Sequence, residues 1–372
     1  MIGSSAAPFV RNLPQPGQYV SDPALFARLT ERNSLDAQPI TWPGFQSFAD
    51  YKVANVGILA QLDLVFDGTI TTATAPNITP TAFYPWGLIN RLTLSANGQN
   101  NLIDCDGLDL RARELRVVRN AADQLNAFPA AGGAPFNSAG SATLRIAYNI
   151  PIAHDMTTLL GSLFMQTDDN YVNIRISTAA STDLFTISAG TLTLAGSFYP
   201  VLTFFSIPTA PGAQGGSVVV LPDLTMLHSM VTIAQPVSAN GDVVTKLQRS
   251  VGNLLCLYTR VDNAATAVDP IGAPATATAH QLRYGGNIVP LRYVRGSLGL
   301  ANQREYNGVI APTANKRYAL LDFEAENPMR DVIVPKGVQD LEWVVTFAGV
   351  TWNGGATMRT VQEVMYPVAA AA

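Results

Sequence analysis

The sequence contains little charge. Only 13% of its 372 residues are Asp, Glu, Lys or Arg, roughly half the share found in an average soluble protein. Apolar residues make up 48%, which excludes intrinsic disorder, because disorder requires low hydrophobicity and high net charge. The net charge of −4 disfavours a nucleic-acid binder that works by bulk positive charge. At about 150 residues per domain, the length predicts two or three domains.

Lysine is much scarcer than arginine. Four lysines stand against 19 arginines, and protein–protein interfaces are depleted in lysine and enriched in arginine. Low charge combined with few lysines therefore indicates a surface that partner molecules partly cover. The lysines are Lys52, Lys246, Lys316 and Lys336.

Cysteine is almost absent, and long apolar runs are missing. The two cysteines, Cys105 and Cys256, are too few for a disulfide framework or a four-thiolate metal site. They predict two reduced thiols, as in a protein that folds in a reducing cytoplasm. The first residues, MIGSSAAPFVRNLPQPG, do not resemble a secretory signal. No run of 18 apolar residues occurs, so we expect no membrane-spanning helix.

Residues 1–40 differ from the rest of the chain and are predicted to form an N-terminal arm with a short helix. Ser21 or Asp22 can cap a helix that begins near Pro23 and continues to about residue 34. Leu25, Phe26 and Leu29 share one face of that helix and are the candidate residues for docking the arm. Two alternatives remain open: the helix docks on its own chain, or the arm docks on a neighbouring molecule or on a surface below.

Beyond Pro39 the apolar residues alternate with polar ones. Short strands of this kind, separated by Gly, Pro, Asn and Asp, predict an all-β sandwich or barrel. Additional helices are predicted only near 108–120 and 297–306. Four segments of small residues are predicted to be long loops. These are residues 67–82, 127–142, 208–217 and 262–279.

The two halves of the chain resemble each other in five places that occur in the same order. Each half has a Val-Gly before a strand (Val56 and Val251), a later short strand (Leu92 and Leu282) and then a helix with arginines. Each half also has a strand near its end and a closing Tyr-Pro-Val. The later strands are NYVNIRIS and DLEWVVTF, and the closings begin at Tyr199 and Tyr366. This pattern predicts a duplicated domain.

The predicted division is an arm over 1–40, a first domain over 41–208 and a second over 209–372, with a linker at about 209–217. Each domain has room for eight short strands, which is the size of a jelly roll. The predicted fold class is therefore all-β: two consecutive eight-stranded jelly rolls with a few short helices.

On these repeated blocks, and on residues 144–177, the chain resembles the double jelly-roll major capsid proteins of tectivirus-like phages and adenoviruses. The resemblance implies a non-enzymatic structural protein that trimerises into pseudo-hexameric capsomers and tiles an icosahedral shell. It also implies contacts with neighbouring capsomers, with minor capsid, spike or penton proteins, and with an internal membrane beneath the arm. The expected location is the virion capsid, assembled in the host cytoplasm, without sequence-specific nucleic-acid binding.

The sequence carries no motif for a catalytic, cofactor-binding or metal-binding site. His154, His228 and His280 have no partner at a recognised ligand spacing. The segment from Asp104 to Asp109 faintly resembles a calcium loop but has Leu115 where a bidentate Glu is needed. We therefore expect structural histidines, and at Asp106 a turn and a helix cap.

Charged residues cluster in two segments. Arg111, Arg113, Arg116 and Arg119 lie in the helix near 108–120, where nearby acids make ion pairs within the helix or between subunits the expected role. The second segment contains Asp322, Glu324 and Glu326, which alternate along one strand. They support the alternative function, a two-domain carbohydrate-active enzyme or lectin with paired carboxylates. The favoured interpretation is an exposed face paired with Arg317 or Arg330.

Overall fold

The computed structural model describes residues 19–96, 101–118, 126–166, 171–211, 217–247, 252–263, 268, 270, 276–285, 288–294, 296–306, 310–313, 316–324 and 340–367. Its strands, β1 to β21 in chain order, are Tyr19–Ser21, Arg32–Asp36, Ile40–Thr41, Phe48–Lys52, Ile58–Pro80, Ile89–Ala96, Asn101–Cys105, Gly140–Pro151, Leu163–Phe164, Val172–Thr178, Phe185–Phe205, Thr209–Pro211, Ser217–Leu221, Met226–Pro236, Gly241–Lys246, Asn253–Asp262, Ala277–Tyr284, Ile288–Val294, Ala319–Asp322, Glu342–Phe347 and Thr357–Pro367. The helices are α1 (Pro23–Leu29), α2 (Gly107–Val117), α3 (Ser181–Leu184) and α4 (Ser297–Tyr306), with a 3-10 turn at Trp86–Leu88.

The first half of the chain forms a sandwich of two sheets. One sheet has the order β2-β11-β5-β8, with β3 also paired to β11 and β9 to β5, and the facing strands have the order β4-β10-β6-β7. Alternate residues of β5, namely Leu62, Leu64 and Phe66, point into the core, where they meet Leu92 and Ile174 from the facing strands. The period of two in the sequence is thus the inward face of each strand.

The second half repeats this arrangement. Strands in the order β14-β21-β16-β19 face a sheet with the order β15-β20-β17-β18. The core between them contains Leu254 and Leu257 of β16 and the buried Trp343 and Val345 of β20. The indole nitrogen of Trp343 donates a hydrogen bond of 2.9 Å to Thr259 Oγ1, which satisfies its one polar atom.

The two sandwiches correspond strand by strand. The strands β14 to β21 of the second sandwich each have a counterpart in the first. In chain order, these counterparts are β2/β3, β4, β5, β6, β7, β8, β10 and β11. A helix lies between the fifth and sixth strands in both halves, α2 in the first and α4 in the second. The five sequence matches fall on these equivalent elements, and the predicted double jelly-roll fold class is confirmed.

One sheet runs through both halves. Strand β7 pairs in parallel with β14, with Ile103 opposite Met230 and Asp104 opposite Val231. This contact joins four strands of each sandwich into one eight-stranded sheet. The second-half strands of that sheet are covered on one face by their own sandwich and on the other by the first sandwich. The two halves therefore share a continuous hydrogen-bonded frame.

The N-terminal segment packs on its own chain. Helix α1 ends at Leu29, earlier than predicted, and the Asp22 side chain caps it by accepting a hydrogen bond from the Leu25 amide. Phe26 is buried in a small core that includes Val220, Leu25 is half-buried against that core, and Leu29 is exposed. Docking of the remaining arm on a neighbour stays a prediction, because residues 1–18 lie outside the described residues.

Two further segments differ from their predicted form. The predicted arm includes residues 32–40, yet β2 and Ile40 of β3 pair with β11 inside the first sandwich. Residues 67–80 were assigned to a loop, yet they continue β5 and pair with β11 to Pro80. This segment is rich in threonine, and β-branched residues favour strands. The abundance of small residues obscured this signal for a strand. Of the predicted linker, residues 212–216 lie outside the described part of the chain.

No helix among the described residues is both long enough and apolar enough to cross a membrane.

Candidate functional site: the buried charge clusters between the sandwiches

Helix α2 contributes charged residues to the boundary between the sandwiches. Asp106 and Asp109 form a capping box at its N-terminus, as each side chain accepts a hydrogen bond from the other residue's backbone amide. Arg113 and Arg116 lie towards its C-terminus. Acids near the start and bases near the end both interact favourably with the helix dipole. The helix therefore offers negative charge at one end and positive charge at the other.

The strands of the second sandwich that face α2 carry charges opposite in sign to those of the helix at each end. On β16, alternate residues Tyr258 and Arg260 face the helix, and on β21 Arg359 and Glu363 do so. All residues from Leu254 to Val261 are buried, since both faces of this sheet are covered. An arginine and a glutamate in such a strand need partners, because an unpaired buried charge is very costly.

Three cations and three carboxylates form what we call the balanced cluster: Arg260, Lys316 and Arg359 with Asp106, Asp109 and Asp262. The Arg260 guanidinium lies 2.5 Å from Asp106, 3.0 Å from Asp109 and 3.1 Å from Asp262. The Lys316 ammonium lies 2.7 Å from Asp262. Tyr318 donates a hydrogen bond of 2.6 Å to Asp109. The cluster is electrically neutral.

The balanced cluster contains an unusual pair of like charges. Arg260 and Arg359 are directly opposite each other on neighbouring strands, an arrangement that is normally destabilising. Asp106 contacts both guanidiniums, at 2.5 Å and 3.2 Å. The second sandwich thus depends on the first for two of the three carboxylates that compensate its cations.

The pKa directions follow from these contacts. Burial disfavours ionisation of Asp262, but the nearby Arg260 and Lys316 outweigh it and lower the pKa of Asp262 to about 2. Burial lowers the pKa of Lys316, although Asp262 opposes that shift. The pKa of Asp106 is lowered by Arg260 against the effect of burial.

Two guanidiniums and three carboxylates form the carboxylate-rich cluster: Arg113 and Arg116 with Asp322, Glu324 and Glu363. Arg116 makes a two-pronged contact with Asp322, at 2.6 Å and 2.9 Å. It also lies 2.9 Å from Glu324 and 2.8 Å from Glu363. Two-pronged arginine–carboxylate contacts are among the strongest charge-assisted hydrogen bonds.

Glu363 is fully buried at the centre of this cluster. Its Oε1 accepts from Arg113 Nε at 2.8 Å and from His228 Nε2 at 2.9 Å, and its Oε2 accepts from Arg116 at 2.8 Å and from the Tyr258 hydroxyl at 2.6 Å. Burial alone would raise the pKa of Glu363, but the two arginines hold it well below its usual value. Burial lowers the pKa of His228, and its Nε2 donates to Glu363 because an ionised carboxylate only accepts.

A metal ion does not fit the histidines of this cluster. His154, His228 and Glu363 are, among the described residues, the one group of three such side chains whose ligand atoms lie within 4.8 Å of one another. All four acceptor positions of the Glu363 carboxylate are already filled by donors, and two of those donors are cations. A divalent ion would have to displace them.

The predicted arginine pairs are partly as expected. Arg111 pairs within the helix with Glu114 at 2.7 Å. Arg113 and Arg116 instead cross to the other half of the same chain. The predicted cap at Asp106 is present. Arg119 lies outside the described residues.

The prediction of an exposed acidic face at 322–326 is wrong for the two acids that the structure describes. The side chains of Asp322 and Glu324 are each only 6% exposed, and both pair with Arg116. Alternation along a strand could not reveal this, because the covering helix comes from 200 residues earlier in the chain. Glu326 and Arg330 lie outside the described part.

The remaining candidate residues are placed in cores. His280 is buried and its Nε2 contacts the Pro270 carbonyl oxygen at 2.6 Å. Burial lowers the pKa of His280 to about 4. Both cysteines are buried and unpaired, and burial raises the pKa of each thiol well above its usual value. A thiol of high pKa is a poor nucleophile.

No protein-family profile and no curated protein matches the sequence. Solved structures do match it. The STIV MCP, from Sulfolobus turreted icosahedral virus, has a TM-score of 0.67 at 17% identity, with 91% of this chain and 97% of that chain covered. The PBCV-1 virus capsid protein has a TM-score of 0.59 at 10% identity, with 91% and 93% covered.

The major capsid protein P2 of bacteriophage PM2 is also similar, with a TM-score of 0.51 at 10% identity, over 90% of this chain and 97% of that chain. These proteins are double jelly rolls. At such low identity the likeness establishes the fold, and it extends over nearly the full length of each protein.

Proposed function

We propose that the chain is the major capsid protein of an icosahedral virus, a non-catalytic shell component that forms trimers of six jelly rolls. The observation that carries the proposal is the full-length match to the STIV MCP, which covers 91% of one chain and 97% of the other. A duplicated sandwich in a trimer supplies six similar wedges, which suits a near-hexagonal tile.

The charge clusters support this role. A capsid subunit must keep its shape when it contacts neighbouring subunits. Both clusters lie between the two sandwiches of one chain, where they can hold that shape. Buried ion pairs with many partners are poor devices for raising stability but can define a unique arrangement. Here the opposite charge gradients of α2 and of the facing strands fix how the two sandwiches are oriented.

The same clusters argue against the carbohydrate-active alternative. A glycosidase needs two carboxylates that face a substrate cleft, whereas Asp322 and Glu324 are buried under α2 and held by Arg116. The test is a glycan hydrolysis assay with Glu324→Ala as the comparison. Hydrolysis by the wild type that is lost in this variant would overturn the structural proposal.

We further propose contacts with neighbouring capsomers and with minor capsid, spike or penton proteins, and assembly in the host cytoplasm. The arm at 1–18 would face neighbouring capsomers or a membrane beneath the shell. The test of the central proposal is light scattering combined with negative-stain imaging of the purified protein. We expect a trimer of the 39.6 kDa chain, about 119 kDa, with a hexagonal outline. A monomer at all concentrations would contradict it.

A further inference from the structure

Strand β7 and its counterpart β18 differ in how many neighbours they have. β7 pairs with β6 on one side and with β14, from the other sandwich, on the opposite side. β18 holds the equivalent place in the second sandwich and, within the described residues, pairs only with β17. It contains Pro290, which is typical of an edge strand. Beyond Pro290, alternate amides point away from β17, and that of Val294 donates a hydrogen bond of 3.0 Å to Ser297 Oγ.

Strand β2 and its counterpart β14 show the reverse difference. β14 lies between β21 and β7, and is therefore paired on both edges. β2 pairs with β11 alone in the part of the chain that is described. Of these four counterpart strands, β7 and β14 bind each other within the chain, whereas β18 and β2 each have one edge without a strand partner among the described residues. The two open edges, on β18 and β2, are the counterparts of the two that already bind each other.

The helices repeat this asymmetry. Helix α2 covers the outer face of the second sandwich, where it meets Glu363 and Asp322. Helix α4 packs on its own strand β19, where the Asn302 amide donates to the Leu320 carbonyl at 2.8 Å and its oxygen accepts from the Leu320 amide at 2.9 Å. On the outward side of α4, Leu300 is 57% exposed. The helix follows the open edge strand β18 in the chain, and that strand carries the exposed Ile288.

Within the described part of the chain, the outer face of the first sandwich is open. It contains a groove of about 380 Å³ whose lining includes Val65, Asp67, Arg145 and Tyr199. Asp63 lies on the same face, where it accepts hydrogen bonds from two amides, Gln61 Nε2 at 2.8 Å and Asn149 Nδ2 at 2.8 Å. The equivalent face of the second sandwich is covered by α2 and carries carboxylates that arginines neutralise.

We propose that β18 and α4 of one copy bind the open edge of β2 and the grooved outer face of the next copy. This contact repeats between chains the one that joins the two sandwiches within each chain. The occupant of the groove is therefore a second copy of this chain, with Leu300 and the exposed Arg304 facing the groove. The inference rests on the proposed capsid function and specifies which surfaces join its subunits.

Such a contact is heterologous: the binding surface and the bound surface are different. A ring of three copies closes when the contact within the chain and the contact between chains together turn by about 120°. Three copies then place six sandwiches in one ring. A variant that damages one surface keeps the other intact, and two different variants can still bind each other once.

The experiment compares the solution mass of wild type with Leu300→Glu on the binding surface and Tyr199→Glu on the bound surface. Both residues are exposed in the single chain, at 57% and 44%, so each variant is expected to fold. Phe48→Glu is the matched control, because Phe48 is 54% exposed on the opposite edge strand β4. Hydrogen exchange at Leu291–Val294 is measured in the same samples.

We expect about 119 kDa for wild type and the Phe48 variant, and 39.6 kDa for each of the other two. An equimolar mixture of Leu300→Glu and Tyr199→Glu should form a dimer of about 79 kDa. Exchange at β18 should accelerate in Tyr199→Glu, although that variant leaves β18 unchanged.

A trimeric wild type whose mass and β18 protection neither variant alters would overturn this interface and leave the capsid proposal standing. A wild type that stays monomeric and forms no shells would instead count against the capsid proposal itself.

Discussion

The balanced cluster and the carboxylate-rich cluster are built on the same helix, yet they differ in how their charge is compensated. In the balanced cluster three fixed cations match three carboxylates. In the carboxylate-rich cluster two guanidiniums face three carboxylates, and two histidines adjoin them. Each acid of the balanced cluster contacts two of its cations. In the carboxylate-rich cluster, Asp322 and Glu324 both pair with the same guanidinium, that of Arg116.

Each cluster is organised around one arginine. Arg260 contacts all three acids of the balanced cluster, and Arg116 contacts all three acids of the carboxylate-rich cluster. Glu363, in contrast, is one of the three acids that Arg116 contacts. Removing a central arginine should therefore cost more than neutralising one acid, because it weakens the compensation of several buried carboxylates at once.

The largest expected effect is that of Arg260→Met. Removing one partner of a buried pair typically costs about 3–5 kcal/mol, and here Asp106 and Asp109 lose their main partner together. The measurement is the free energy of unfolding in urea. Arg91→Met is the control, since Arg91 also pairs with an aspartate, Asp104, but is 60% exposed and should cost about 1 kcal/mol or less. Equal losses in the two variants would contradict the central role of Arg260.

Glu363→Gln should cost less, about 2–3 kcal/mol in the same measurement. The amide keeps the shape of the side chain, and Arg116 retains Asp322 and Glu324. Glu342→Gln is a control at a more exposed pair, with Arg283 at 2.7 Å, and should cost about 1 kcal/mol or less. A loss larger than that of Arg260→Met would contradict the expected ranking of a central arginine above a single acid.

A third expectation concerns pH. The pKa of Asp262 is lowered to about 2 in the folded chain, so its contribution is complete above the unfolded pKa near 4 and is lost as the pH falls towards 2. Asp262→Asn should therefore flatten the decline in unfolding free energy between pH 5 and pH 2 by about 2 kcal/mol. Parallel curves for wild type and variant would show that Asp262 is not the titrating group.

The smallest expected effect is that of zinc. Because Glu363 is saturated by donors, adding Zn²⁺ or a chelator should change the melting temperature by less than about 1 °C. A saturable rise of several degrees in the melting temperature, abolished by His228→Gln, would instead show that the carboxylate-rich cluster binds a metal ion. The two clusters would then differ in metal binding as well as in charge.

The sequence predicted the fold better than the site. Helix α4 has the predicted bounds, 297–306, and the order of strands follows from alternation and turns. Burial of Asp322 and Glu324 was not predictable in this way, because it depends on a helix from the other sandwich. A hint was available in β16: Arg260 interrupts a run in which residues on both faces are apolar, and that pattern is typical of a sheet covered on both sides.

The parallel pair between β7 and β14 also has a consequence for synthesis. About 120 residues separate the two strands in the chain, so at usual translation rates β7 leaves the ribosome roughly 10 s before its partner. During that interval the β7 edge is open, and the β14 of another nascent chain on the same message can pair with it. Slower translation of residues 106–225 should therefore raise the yield of strand-swapped dimers. Correct pairing within one chain thus depends on elongation speed as well as on complementary surfaces.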